Sequence, residues 1–314
     1  MSGNNTERNL ANLEAGQEQQ IHLLVQSVEK ATARNGSVYE KLKIRDTEGH
    51  DAILFNWNEP FSQPLPATIT ARVQTELYRE TNSYKMLSYQ KDNSIPTDDF
   101  LPKPKIDVKQ YWRELNDFAK TLPAGLHALV GKVLMADQKR FVYLPLTTSK
   151  SFARRCGILE ATLKLTQMAA TSAPIMGLDR NITVTAAILY YVGYTQCIDD
   201  AFMGTADDIL VGAGVSGYTM VLEKARELMA SGDKAIVESL NEQDVKCVLH
   251  ILLSRYRGIS AAIPEATLLR HLDAVVMDTD LMAKVASDIM PGKAGYVNGL
   301  GYVYNRGQCP SVRL

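Results

Sequence analysis

The stretch Ile21–Trp57, IHLLVQSVEKATARNGSVYEKLKIRDTEGHDAILFNW, decides the architecture of the N-terminal third of the chain. Apolar and polar residues alternate along it in short runs, and the runs are broken at Arg34-Asn35-Gly36 and Thr47-Glu48-Gly49. A period of two is the pattern of strands. Asn-Gly and Glu-Gly supply the positive φ or side-chain caps that tight reversals need. The spacing predicts strands over Ile21–Thr32, Val38–Asp46 and Ala52–Trp57, and two more over Ala67–Arg79 and Tyr84–Lys91. Asn58–Pro66 and Thr81-Asn82-Ser83 supply the remaining reversals. Five strands with no long helix between them fit a small closed β-barrel.

Along the second strand Tyr39, Lys41, Lys43 and Arg45 share one face, and Glu40, Leu42 and Ile44 share the other. Leu42 and Ile44 mark their face as core, which leaves one ring and three cations outside. Arg34 in the first reversal, with Tyr78, Arg79, Tyr84, Lys85 and Tyr89 around the fourth hairpin, adds rings and cations. Cations meet phosphates and flat rings stack bases, so this set suits a single strand of nucleic acid. The competing expectation is ordinary cross-strand packing for the rings and solvation for the lysines. Phe55 and Trp57 share the parity of Ile53 and are expected in the core.

On either side of the strands the pattern changes. Residues 1–20 are polar, lack the regions of a signal peptide and read as a disordered lead-in. Residues 93–106 contain Pro96, Pro102 and Pro104 and read as an extended linker between a β-domain over 21–92 and a helical domain over 107–314. Helical periodicity follows over Val108–Leu122, Gly125–Ala136, Thr148–Ala170, Ile182–Cys197, Asp207–Ala230, Glu242–Tyr256 and Glu265–Ile289, with Asp107 placed to cap the first. Pro291–Leu314 reads as an irregular tail.

The bulk numbers narrow the function. At 314 residues, 46% hydrophobic and 22% charged, this is ordinary globular composition for about two domains. The net charge of −1 excludes polyanion binding by bulk charge, so any nucleic-acid site must be a local basic patch. Four scattered cysteines, Cys156, Cys197, Cys247 and Cys309, form no CxxC pair. That argues against a zinc knuckle or disulfide framework and for a reducing cytoplasm. No apolar run is long enough to cross a bilayer, so no membrane partner is expected. There is no phosphate-binding GxxxxGK[ST] loop. Gly212-Ala213-Gly214 lacks the strand that a dinucleotide loop requires, and no cofactor is expected.

The stretch Ile21–Trp57, with its turn at Asn35-Gly36, strand end at Asp46, Gly49 and aromatic strand end, resembles the OB-fold that opens the YhaM-like 3′→5′ exoribonucleases. The resemblance runs in order through the helical half to Pro291-Gly292 and Tyr304-Asn305-Arg306. It implies an α+β chain of two domains, a five-stranded OB-type barrel followed by an all-α HD-phosphohydrolase-like domain. In that family histidines and aspartates converge on divalent metals that activate water for phosphodiester cleavage. Matched position by position, the motif fails. A ligand position falls on Ala161, the His-Asp doublet on Tyr190-Tyr191 within Ile188–Gly193, Gly-His on Gly217-Tyr218, and Leu-Ser-His-His on Leu253-Ser254-Arg255-Tyr256. Asp273 alone keeps its type. Phenol is a weak ligand and guanidinium repels a cation, so no metal is expected there. The five histidines, His22, His50, His127, His250 and His271, are too dispersed to substitute.

Arg154, Arg155, Arg255 and Arg257 with the tyrosines could line a cleft for phosphates and bases. Alternatively, the tyrosines fill vacated space and the arginines pair with acids such as Asp199, Asp200, Asp207 and Asp208. The expectation is a catalytically silent relative that binds single-stranded RNA or DNA in nucleic-acid processing or transfer, with itself or other processing proteins as further partners. A hydrolase with an atypical site, built on Asp273, Asp278 and Asp280, and a structural assembly protein are the alternatives.

Overall fold

The period-two pattern closes on itself. In the computed structural model, residues 10, 13–78, 81–104, 106–200, 202–256, 258–297 and 299–307 are described. The chain divides into two units, Met1–Lys103 and Pro104–Leu314. In the first, β1 (Glu18–Thr32), β2 (Val38–Arg45), β3 (Asp51–Asn56), β4 (Ala67–Tyr78) and β5 (Thr81–Lys91) form a closed barrel in the order β1-β2-β3-β5-β4. All neighbours are antiparallel except β3 and β5, whose parallel pairing closes the ring. Inward-facing Leu23, Val25, Leu42, Ile44, Leu54, Ile69, Val73 and Met86 fill it.

The barrel unit reaches further in both directions than the alternation suggests. β1 begins at Glu18, and Leu10 and Leu13 are buried in the barrel core, so the described residues of the expected lead-in, 10 and 13–20, belong to the fold. Polar tethers hold them there. The Asp46 carboxylate accepts from the Leu10 amide at 2.8 Å, the Tyr84 hydroxyl donates to the Leu10 carbonyl at 3.0 Å, and Asn82 donates to the Leu13 carbonyl at 3.2 Å. The expected extended linker instead holds a 3₁₀ turn, Thr97–Phe100, and buries Phe100 and Leu101. An apolar pair in a proline-rich stretch gains more from burial than from solvent.

The second unit is helical. Its elements are α1 (Val108–Lys120), α2 (Ala124–Ala136), α3 (Gln138–Tyr143), α4 (Gly157–Ile175), α5 (Arg180–Leu189), α6 (Tyr194–Cys197), α7 (Ala206–Leu210), α8 (Ala213–Met229), α9 (Lys234–Ser239), α10 (Glu242–Ser254) and α11 (Pro264–Ser287). Asp107 caps α1 by accepting from the Gln110 amide. Every residue of α5 from Ile182 to Leu189 is buried, Thr183 and Thr185 among them. Three expected helices break where the backbone turns. Phe152 and Cys156 adopt positive φ before α4, α5 stops at Leu189, and Gly212 at φ +81° separates α7 from α8. The expected irregular tail is a hairpin, β6 (Lys293–Val297) paired antiparallel with β7 (Gly301–Asn305). No helix among the described residues is long and apolar enough to cross a membrane.

Gly193 fixes one crossing in this unit. A β-carbon there would overlap the Ala213 carbonyl oxygen and lie 2.5 Å from the Gly217 amide, at the start of α8. Gly193→Ala is expected to cost at least about 1–3 kcal/mol in thermal melts, because backbone must move to admit it. Gly131→Ala, within α2 and facing open space, should instead stabilise by about 0.5–1 kcal/mol.

Candidate nucleic-acid interface

Barrel register decides which side chains share the outer face. Lys41 stands opposite Phe55 and Lys43 opposite Ile53 across β2 and β3, and Phe55 is paired with Lys85 across β3 and β5. Lys41, Phe55 and Lys85 therefore form one row over three adjacent strands, roughly 5 Å apart per strand. At the edge of that row the Tyr39 ring stacks on Trp57, with centroids 4.4 Å apart and planes 18° apart. Phe55 lies tilted beside Tyr39 at 6.0 Å. Trp57 is 43% exposed. The result is three rings among three ammonium groups, with Arg34 exposed in the β1–β2 reversal. Acids temper the patch: Glu29 on β1 stands opposite Lys41, and exposed Glu76 on β4 lies diagonal to Lys85.

This arrangement corrects the parity expected for β3. Leu54 and Asn56 point inward, and Ile53, Phe55 and Trp57 point out. The inward choice at Asn56 is fixed by polar satisfaction. Its side chain donates to the buried Glu40 carboxylate at 3.0 Å and to the Glu59 carbonyl at 2.9 Å, and Glu40 also accepts from the Phe61 amide. Arg45, expected outside with Lys41 and Lys43, is only 4% exposed, and its guanidinium grips Asp51 at 2.7 and 2.9 Å. Tyr84 packs on the barrel core, and Tyr89 packs on Phe61 with centroids 4.9 Å apart. Arg79, Arg257 and the side chain of Tyr78 lie outside the described residues.

In the helical unit four of the six residues expected at the former metal positions meet. Arg255, at the end of α10, donates to the Tyr190 carbonyl at 3.0 Å and to the Tyr194 hydroxyl at 3.3 Å. Its guanidinium lies 4.7, 5.6 and 5.3 Å from the ring centroids of Tyr190, Tyr191 and Tyr194. The Tyr191 hydroxyl donates to Asp273 at 2.5 Å. Burial raises the pKa of Asp273, with the Arg255 charge and the Tyr191 hydrogen bond opposing it. Burial also pushes both Tyr190 and Tyr191 above the ordinary phenol range. Burial works against the Arg255 cation, but Tyr194 and Asp273 hold its proton more firmly than usual. Ala161 is buried on α4 and Tyr218 half-buried on α8, and neither takes part in these hydrogen bonds.

Arg154 does not bring free charge to this cluster. Arg154 forks between Glu160, at 2.9 Å twice, and Asp280, at 2.6 and 3.1 Å. Its acids are thus not those near residue 200; Asp200 pairs with Arg140 instead. Arg155 is half-buried, and its Nε is buried without a hydrogen-bond partner. The three carboxylates of the atypical-site alternative go separate ways, Asp273 to Tyr191, Asp280 to Arg154 and Asp278 to solvent. Among the described residues no group of three or more His, Cys, Asp or Glu is gathered as a metal would require. Burial pushes the Cys156 and Cys197 thiols up to about 11, which keeps both neutral and poorly nucleophilic.

The sequence reading missed Tyr194, although it lies three and four residues beyond Tyr191 and Tyr190 and so within one helical turn. It also missed the phenol of Tyr256 as the acceptor for the Gly214 amide at 2.8 Å, which occupies the start of α8 at the glycine-rich loop.

Comparison with known proteins finds distant relatives along most of the chain. The chain is 20% identical to the 3'-5' exoribonuclease YhaM of Bacillus pumilus over 302 residues, 89% of this chain and 91% of that protein. It is 21% identical to the 3'-5' exoribonuclease YhaM of Bacillus licheniformis over 301 residues, with the same coverage. No family model matches, and no solved structure matches. The likeness is distant and spans both units.

Proposed function

We propose that this chain binds single-stranded nucleic acid on the outer face of its barrel and that its helical unit does not hydrolyse phosphodiesters through a metal. RNA is the strand favoured by the names of its relatives. The observation that carries the binding claim is the interleaving of Tyr39, Phe55 and Trp57 with Lys41, Lys43 and Lys85 on one exposed face. Aromatic planes accept any base, and the ammonium groups neutralise the backbone that links the bases.

The silence of the helical unit rests on donor chemistry. Where the family resemblance implies imidazoles and carboxylates, Tyr190, Tyr191 and Arg255 surround a single carboxylate, Asp273. These residues do not fit a divalent cation, since a buried guanidinium already supplies the positive charge and neutral phenols coordinate weakly. The cluster is read as the packed remainder of a site. Three free thiols, Cys156, Cys197 and Cys247, suit a reducing cytoplasm.

Fluorescence anisotropy with a labelled 15-nucleotide RNA tests the binding claim. Arg34, Lys41, Lys43 and Lys85 together predict a slope of about 2.8 in log affinity against log salt, from about 0.7 per phosphate on single strands. From these four barrel contacts alone the dissociation constant should rise at least about 50-fold from 50 to 200 mM salt. Binding unaffected by salt, or none, contradicts the proposal. Stoichiometric manganese, iron or nickel with turnover of the RNA contradicts the claim of silence.

A further inference from the structure

The C-terminal hairpin has no role in either site, yet its surface is unusual. From Ile289 to Leu314 the sequence contains Lys293, Arg306 and Arg313 and no acid. Within it β6 and β7 pair so that Tyr296 faces Tyr302 and Ala294 faces Tyr304. Alternation sends Val303 inward, where it is buried against α11, and Gly295 packs its backbone on Ile289. The other face carries Tyr296, Tyr302 and Tyr304 at 69%, 82% and 61% exposure. Tyr296 and Tyr302 meet edge to face with centroids 5.5 Å apart. Lys293 and Arg306 are exposed at the base of the hairpin.

The cross-strand pair Tyr296–Tyr302 helps hold the hairpin, but three large rings left mostly in water on one side of a two-stranded sheet exceed that need and point to a partner. The partner must be anionic, since every charge of the segment is positive, and it must present flat surfaces. We propose that this face is a second contact for single-stranded nucleic acid, with bases stacking on Tyr296, Tyr302 and Tyr304 and phosphates meeting Lys293 and Arg306. The class of ligand rests on the proposed function, while the residues belong to a different unit from the barrel face. A sheet-borne aromatic row with flanking cations is a sequence-tolerant platform.

Photo-crosslinking of the full chain to a 4-thiouridine 15-mer tests this without altering the protein. Trypsin cuts after Lys293 and Arg306, so all three tyrosines fall in the single peptide Ala294–Arg306. Crosslinks in that peptide are expected, alongside crosslinks in the barrel. The variant Y296A/Y302A/Y304A should bind at least about fivefold more weakly, and a variant with phenylalanine at all three positions should retain affinity because stacking needs no hydroxyl. Crosslinks confined to the barrel, with the alanine variant binding as the parent does, overturn the hairpin contact and leave the barrel claim standing. Absence of RNA binding by the unaltered chain overturns both. A change of oligomeric state in the alanine variant, without loss of RNA affinity, assigns the face to a second copy of the chain and overturns the proposal.

Discussion

Arg154→Ala is expected to destabilise the helical unit by about 3–5 kcal/mol, because it leaves buried carboxylates without their cation. The Arg154 side chain is 16% exposed, and those of Glu160 and Asp280 are 5% and 9% exposed. Glu160 keeps Lys164 at 2.7 Å, whereas Asp280 keeps the Phe152 amide and the more distant charge of Lys164. For a unit of this size the loss corresponds to a fall of about 6–20 °C in melting temperature. Arg154→Lys should recover little, since one ammonium cannot span two carboxylates as a planar fork does.

The same pair gives the change a pH signature. Burial raises the carboxyl pKa of Asp280 and of Glu160, but the hydrogen bonds and charge of Arg154 outweigh it, so both lie below their ordinary values. The unfolded chain therefore binds more protons than the folded one as pH falls below about 4. Stability from these groups is fully present above that range and is lost as acid titrates the folded carboxylates. Arg154→Ala should flatten this acid limb in melting temperature against pH. A variant that melts lower yet keeps the parent's acid limb would show that the ion pairs are not its source.

The second large effect is on binding. Removing the stacked pair with Tyr39→Ala and Trp57→Ala should weaken RNA affinity by about 5- to 150-fold, the range for loss of one stacked base. Replacing Lys41, Lys43 and Lys85 with alanine should instead lower the salt slope by about 2, at about 0.7 per phosphate. The two variants separate stacking from charge: the first shifts affinity at every salt concentration, and the second removes mainly the salt-dependent part. Equal salt slopes for parent and lysine variant, measured by anisotropy from about 50 to 200 mM, would contradict the assigned phosphate contacts.

Much of this architecture was legible in the chain itself. Period-two alternation around Leu42 and Ile44 and the Asn35-Gly36 reversal identified the barrel, because turn chemistry and a one-sided core act locally. The inward turn of Asn56 was not legible, since it depends on Glu40, a strand away, and on a backbone carbonyl. That one placement sends Phe55 and Trp57 outward and creates the aromatic face. Arg45 illustrates the converse: its parity was right for an outward residue, but Asp51 across β2 and β3 draws it under cover. In the helical unit the juxtaposition of Tyr190, Tyr191, Arg255 and Asp273 followed from position-by-position resemblance. Their hydrogen bonds did not, because side-chain directions depend on the breaks after Leu189 and at Gly212. The hairpin of the tail is not legible because glycines at 292, 295, 299 and 301 mask the alternation of its tyrosines.

The most direct measurement uses the indole stacked on Tyr39 at the edge of the barrel's aromatic row. The chain has two tryptophans, Trp57 and Trp112, so a Trp112→Phe variant reports from Trp57 alone. Titration with single-stranded RNA should quench its emission saturably, with a midpoint that moves to higher RNA concentration as salt is raised. Anisotropy that reports binding while Trp57 emission stays constant would place the ligand elsewhere and contradict the account.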